Sequence, residues 1–410
     1  MKKHKIILGI LFLMLSSGIW AQEALNNYLQ KAAENNPELK MKFNAYMAAL
    51  EVAPQVKALP DPQVAFGYFI QPVETRLGPQ RLKLSASQMF PWFGSLANKE
   101  NAALQNAKSK YEGFKEAKSG LFNDVRNTYY NLYLNRKAID ITKENIGILE
   151  TFRKLATVKV EAGLVSSLDE YRITIEINDL ENQLALLNDK QKVLETTFYK
   201  LLNDDGTFLI DLPDSIWTND FKLNREAALD SVLSRNHQLS VISYEQNALD
   251  YRKNIASDMG KPSFKVGLDY TIIGKGENNL AGTDAFMFPT IGVTIPLYRN
   301  KYKAMIKEAN YLESAKQNEK IKKENQLSVL FENGWKDYQD ASRRIQLYNT
   351  QLDLARKSLS LLETDYATGN RNFEEILRME RKVLTYNLEL EKAKTDKQAS
   401  ISFFNYLMGN

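Results

Sequence analysis

The sequence predicts a mainly α-helical chain with a small transmembrane β part, one unit of long coiled-coil helices and two strands being used twice. Three observations predict this. All eleven prolines lie between positions 37 and 296, and none falls in 92–212 or 297–410. A proline inside a helix costs about 3 kcal/mol, so each proline-free tract reads as very long helices. Ser95–Val160 and Arg299–Ala367 are each expected as one helix, roughly 100 Å long at the standard rise. The second observation is self-similarity at an offset near 200 residues, and the third is four short runs in which apolar residues recur at every second position.

Taken in order, the chain begins with Lys2, Lys3 and Lys5, the apolar run Ile6 to Leu15, and small residues up to Ala21. A basic start, an apolar run too short to span a bilayer and a polar restart predict a secretory signal peptide over 1–21. Removing its three basic residues from 54 leaves 51 against 50 acidic. That balance gives no footing for nucleic acid. There is no cysteine, which excludes disulfides, thiolate metal sites and N-terminal lipidation of a cysteine, and beyond residue 21 the one histidine is His237. No metal site, cofactor site or catalytic constellation is expected.

The repeat pairs Asn36-Pro37-Glu38-Leu39 with Asn236-His237-Gln238-Leu239, and Pro62 and Gly67 with Pro262 and Gly267, at 200. Phe90-Pro91-Trp92-Phe93 pairs with Ile295-Pro296-Leu297-Tyr298 at 205, and Gly163 with Gly369 and Leu201-Leu202-Asn203 with Leu407-Met408-Gly409 at 206. The drift reflects loop-length differences inside a duplicated unit. The expected layout is a first repeat over 22–203, a linker over 204–224 containing Pro213, and a second repeat over 225–410. His237 stands where Pro37 stands in the other copy, so it reads as a helix-start residue. Interleaved charges such as Lys316, Glu319, Lys320 and Glu324 read as a solvated helix face. Met89, Met287 and Met305, scattered over different elements, read as packing residues.

Strands are expected at about 62–72, 81–90, 262–274 and 285–296. In the third, Phe264, Val266, Leu268, Tyr270 and Ile272 alternate with Lys265, Gly267, Asp269 and Thr271. Runs of this length suit tilted membrane strands with lipid on one side and water on the other, while alternation alone suits a soluble sheet equally well. Secretion, long helices and strands occurring together in a duplicated unit favour the membrane. Four strands cannot close a barrel, and open edges are not tolerated in lipid, so the membrane reading requires an oligomer.

Long helices are expected over about 168–203 and 372–408 as well. Upstream of Gly369, a three-four spacing of Tyr338, Ala341, Ile345, Tyr348, Leu352, Ala355, Leu359, Leu362 and Tyr366 is the seam of a coiled coil. Gly369 ends it, and Asn372-x-x-Glu375 reads as a capping box opening the next helix.

With the duplicated Asn-x-x-Leu starts, Asp61-Pro62-Gln63, Ser87-Gln88-Met89-Phe90-Pro91-Trp92-Phe93-Gly94, and the run from Tyr366-x-x-Gly369 to Leu407-Met408-Gly409, the sequence resembles the TolC family of outer-membrane efflux ducts. The Pro-Trp-Phe-Gly form is nearer its heavy-metal branch. The resemblance implies a homotrimer whose twelve strands share one barrel in the outer-membrane bilayer and continue into a helical periplasmic tunnel. It implies passive conduction, without enzymatic activity, as part of a tripartite efflux or type I secretion system. The implied partners are a periplasmic adaptor (membrane fusion) protein and an inner-membrane pump of the resistance-nodulation-division type.

In this family a tyrosine three residues before the second-repeat glycine and an arginine two after it hold the tunnel tip closed; these positions are Tyr366 and Arg371. The tip turns are Gly163 and Gly369. An acidic partner nine residues before the first glycine is replaced by Lys154, beside Arg153, with Glu150 one turn earlier. Of two acidic rings, the first position is Glu375 and the second is Arg378. Three Glu375 carboxylates around a narrow lumen would favour cations. From the residues alone, Tyr366 serves as a seam residue, Arg371 as a solvated turn residue and Glu375 as a capping acid. Two other classes are weighed: a periplasmic adaptor or coiled-coil scaffold, which shares secretion and long helices but needs no lipid-facing strands, and an enzyme with a helical insertion, which lacks histidine, cysteine and a phosphate loop.

Overall fold

The computed structural model describes residues 22–163, 166–276, 282–367 and 373–410, so the expected signal peptide lies outside the described residues. Helix α1 covers 22–35. It is followed by α2 (Pro37–Leu50), α3 (Val52–Lys57), β1 (Gln63–Tyr68), β2 (Glu74–Thr75), β3 (Gly78–Phe90), α4 (Ser95–Glu161) and α5 (Ser167–Leu201). The second half gives α6 (Arg225–Arg235), α7 (His237–Met259), β4 (Ser263–Ile273), β5 (Ala285–Thr294), α8 (Arg299–Ala367) and α9 (Phe373–Leu407). Helices α4 and α8 run uninterrupted for 67 and 69 residues, as the absence of proline allows. No described helix is long and apolar enough to cross a membrane.

The matched asparagines Asn36 and Asn236 make equivalent hydrogen bonds. The Asn36 side-chain amide donates to the Leu201 carbonyl at 3.2 Å, and that of Asn236 donates to the Leu407 carbonyl at 2.9 Å. Each asparagine thereby satisfies an orphan carbonyl at the end of the second long helix of its own repeat. Those helices end alike, with Asn203 (φ 52°) and Gly409 (φ 77°) in the left-handed region.

The compact units do not follow the repeats. Among the described residues, one unit comprises 22–41, Lys115–Asn236 and Glu324–Asn410, and the other comprises Lys42–Phe114 and His237–Lys323. Each draws on both halves of the chain, because strands and helices from one repeat find their partners in the other.

The second of these units holds an antiparallel sheet in the order β1-β3-β4-β5, with the short β2 pairing β3 off this path. The two-residue β2 is absent from the sequence expectation, being too short to show alternation. In the first unit, Tyr129, Tyr133, Phe198, Phe331 and Phe404 are fully buried. The 204–224 segment, expected as a linker, packs onto this core without helix or strand: Leu212 and Ile216 are buried, and the Tyr129 hydroxyl donates to the Asp211 carbonyl at 3.0 Å. Lys31 bonds Asp204 at 2.7 Å and holds its carboxyl well below the usual range. His237 opens α7, its Nδ1 2.7 Å from Glu112 Oε2. No cluster of three metal-ligating side chains occurs among the described residues.

Candidate functional site: a two-faced sheet and a helical hairpin core

Register decides which side chains share a face of the sheet. Val64, Phe66 and Tyr68 stand opposite Ala86, Leu84 and Leu82 of β3. Those stand opposite Leu268, Tyr270 and Ile272 of β4. Further along, Val266 pairs with Ile291 and Phe264 with Val293 of β5. One face is therefore largely apolar across four strands, interrupted by Gln88 opposite Val266, because residues two apart on a strand lie on the same side. It is also bare: Val64 is 77 %, Phe66 65 % and Ile291 72 % exposed. A soluble protein does not leave an apolar patch of this extent uncovered.

The opposite face carries Gln63, Lys83, Ser85, Ser87, Lys265, Asp269, Thr271 and Thr290. Its polar groups bond one another, with Ser85 Oγ donating to Asp269 at 2.5 Å and Lys83 at 3.3 Å from the same carboxylate. Between Gly267 and Asp269 the β4–β5 register shifts, and the extra β5 residue lies around Phe288 and Pro289, where a bulge tolerates a proline that a regular ladder would not. The edge strands β1 and β5 each pair on one side only among the described residues. At the strand-to-helix junction, Trp92 stacks on Phe264 at 6.2 Å and Phe93 lies tilted 6.1 Å from the same ring, and Phe93, Leu297 and Tyr298 are exposed. Such an aromatic fringe suits a membrane–water interface.

In the other unit, four helices meet in one apolar cluster: Leu149 and Ala156 of α4, Ile173, Ile177 and Leu180 of α5, Tyr366 of α8, and Phe373, Ile376, Leu377 and Leu384 of α9. Gly163 takes φ 72° in the turn after α4, a conformation that favours glycine, and Ser166 caps α5 by accepting from the Leu168 N–H at 3.2 Å. Tyr366 is 5 % exposed, its ring 5.2 Å from that of Phe373, and burial raises its hydroxyl pKa. That hydroxyl has no hydrogen-bond partner among the described residues.

Lys159, a residue that sequence reasoning missed, holds Tyr366 from the other side. Its ammonium donates to the Tyr366 carbonyl at 3.1 Å and lies 3.8 Å from the ring centroid. The cation thus ties the end of α4 to the end of α8, through a cation–π contact and a charge-assisted bond. Glu150 is engaged by Arg153 at 2.7 Å along α4. Glu375 is half-buried in the first turn of α9, where the helix dipole favours a carboxylate. Gly369, Arg371 and Asn372 lie outside the described residues. Arg172 of α5 bridges to Glu374 at 3.2 Å, and Arg381 of α9 pairs with Glu176 of α5.

A buried acid lies in the same unit. Glu380 is 3 % exposed, accepts from the Asn145 amide at 3.4 Å, and has its pKa pushed up to about 7 by burial and by the nearby charge of Glu363. The sequence carried a signal for it: Phe373, Leu377, Glu380 and Leu384 follow the four-three-four spacing of a coiled-coil seam, so the acid occupies a core position.

Residues 28–204 match the family model described as outer membrane efflux protein. Solved outer-membrane folds resemble the chain over nearly its whole length. VceC of Vibrio cholerae, an outer membrane protein, matches with a TM-score of 0.78 and 15 % identity over 96 % of this chain and 99 % of its own. CusC, whose crystal structures concern folding and transmembrane channel formation, matches at 0.77 and 17 % over 94 % and 92 %. The open state of the outer membrane channel MtrE of Neisseria gonorrhoeae matches at 0.75 and 14 % over 94 % and 89 %. No curated protein matches the sequence. At these identities the likeness is one of fold, and the fold is the expected one of long helices with a small β part.

Proposed function

We propose that this chain is the outer-membrane channel of a tripartite efflux or type I secretion system, passively conducting substrate delivered by an inner-membrane pump of the resistance-nodulation-division type through a periplasmic adaptor. The observation that carries this reading is the two-faced sheet with two unpaired edges. One chain supplies four strands, and three chains joined edge to edge give twelve, leaving no edge in lipid. The bare apolar face then meets the bilayer, and the Lys83, Ser85 and Asp269 face lines a water-filled lumen.

The hairpin core supports a gate at the periplasmic tip. Conduction there requires the α4–α5 and α8–α9 hairpins to part, and Lys159 with Tyr366 resists that parting; Arg371, outside the described residues, is proposed as the second latch residue on the family resemblance. Adaptor contact shifts the equilibrium by binding the parted state better than the closed one. Glu375, near the second turn, provides a carboxylate per chain for a cation-favouring ring. The match of residues 28–204 to the outer membrane efflux protein model and the fold likeness to outer-membrane proteins support conduction over a scaffold or enzyme.

The full-length protein purified in detergent is expected to give a trimer by native mass measurement and discrete single-channel currents in a planar bilayer. A monomer that is soluble without detergent and silent in the bilayer contradicts the proposal.

A further inference from the structure

Below the 204–224 segment, in the compact unit that also holds the hairpin core, lies a cavity of about 470 Å³ lined by Arg126 and Tyr130 of α4, Trp217 and Asp220 of the segment, and Gln398 and Ser402 of α9. Arg126 is the unusual member. Its side chain forms no ion pair or hydrogen bond among the described residues, and its Nη1 is buried without a partner. The side chain as a whole is partly buried and its guanidinium lies 5.9 Å from the Phe122 ring centroid, a weak cation–π contact that leaves the buried Nη1 donors unmet, which is costly. A guanidinium stays protonated in proteins, so the cost is not escaped by losing the proton.

The nearby acids do not meet the need. Asp220, on the cavity wall, is engaged by Lys397 at 2.6 Å, which holds its carboxyl below the usual range. Asp124 is two residues away on the same helix, a spacing at which side chains do not face one another. On the wall, Gln398 directs its amide at the Asn219 carbonyl at 3.5 Å and keeps a second N–H for an acceptor, while the Ser402 hydroxyl is already donated to Asn123 Oδ1 at 3.0 Å. The rest of the wall mixes polar, aliphatic and aromatic side chains, with Lys222 as a second cation, and on its aromatic part Trp217 packs edge-on against Tyr130 at 6.1 Å.

We infer that this cavity is a binding site for a small oxyanion, a carboxylate or phosphate group held by the Arg126 guanidinium fork, with room beside Trp217 for an attached flat apolar body. Recognition follows the planar, two-donor geometry in which arginine meets such groups. The cavity lies among elements of one chain, so each chain carries one site, whether or not the protein conducts.

Isothermal titration of the detergent-purified full-length protein with inorganic phosphate and, separately, with benzoate tests this. At least one is expected to bind saturably at one site per chain. Binding of phosphate alone identifies a bare oxyanion, and preference for benzoate identifies the aromatic wall as part of the site. Arg126→Gln is expected to weaken binding by roughly tenfold or more, the scale of a lost charge-assisted bond, and Arg126→Lys to weaken it less. Gln398→Glu adds a carboxylate of nearly the same shape to the wall. It is expected to weaken binding comparably while leaving Arg126 in place, so the test stands even if Arg126→Gln does not fold. Absence of saturable binding of either anion to the unaltered protein overturns the inference, as does binding unchanged in Gln398→Glu and in whichever Arg126 variants fold.

Discussion

Glu380→Gln isolates the contribution of one buried acid to stability. In the folded protein its pKa is about 7, against an ordinary 4.5, because burial and Glu363 both disfavour the carboxylate more than the Asn145 bond favours it. A raised acid pKa means the folded state keeps a proton that the unfolded state has released. Between pH 4.5 and 7 this group therefore removes stability as pH rises, and above pH 7 its cost is complete. A shift of this size corresponds to a ceiling of about 3 kcal/mol per chain. Glutamine keeps the shape and the acceptor for Asn145 but cannot ionise. The variant should match the parent near pH 4 and exceed it by up to that amount near pH 8. Thermal unfolding of the detergent-purified protein at one scan rate, followed by far-UV circular dichroism, should show the variant higher by several degrees at pH 8. A difference between the two proteins that is constant from pH 4 to pH 8 would show that Glu380 is not a buried, titrating group.

The remaining predictions concern the channel. Lys159→Gln removes a cation–π contact and a charged bond to the Tyr366 carbonyl, together on the order of 1–3 kcal/mol, and should raise resting open probability in a planar bilayer by about tenfold; an unchanged closed-state current would place the latch elsewhere. Replacing Tyr366 and Arg371 together by alanine should raise resting conductance in the same assay, and no change would show that these two do not hold the tip. Glu375→Gln should lower the cation preference measured from reversal potentials in a salt gradient, and identical selectivity would refute the acidic ring. Phe66→Arg puts a charge on the apolar face at a cost of about 2–4 kcal/mol in the bilayer and should deplete the protein from outer membranes, whereas Ala65→Arg on the other face should insert normally; equal yields would contradict the assignment of faces.

Legibility in the sequence followed the range of the interaction. Helices α4 and α8 were readable because a missing proline is a local fact, and β4 because Phe264 to Ile272 alternate without a break. The seam through Ala341, Leu352, Ala355 and Tyr366 was readable for the same reason, and those four residues are buried. The interleaving of the compact units was not readable, since pairing of β3 with β4 joins residues almost two hundred positions apart. Lys159 was missed because its partner Tyr366 is 207 residues away, and a lysine late in a helix already has a sufficient local role near the dipole's negative end. Arg126 was missed because an arginine in a mixed helix signals nothing until its neighbours are seen to leave it unpaired.

The central claim is that the sheet is a barrel wall with lipid on one face and water on the other. The chain contains no cysteine, so single cysteines can be placed along β4 without background. Introduced one at a time at positions 264–272 and probed in isolated outer membranes with a water-soluble thiol reagent, they should react at 265, 267, 269 and 271 and stay protected at 264, 266, 268, 270 and 272. Uniform reactivity, or reactivity on the 264–272 even-numbered face instead, would contradict the account.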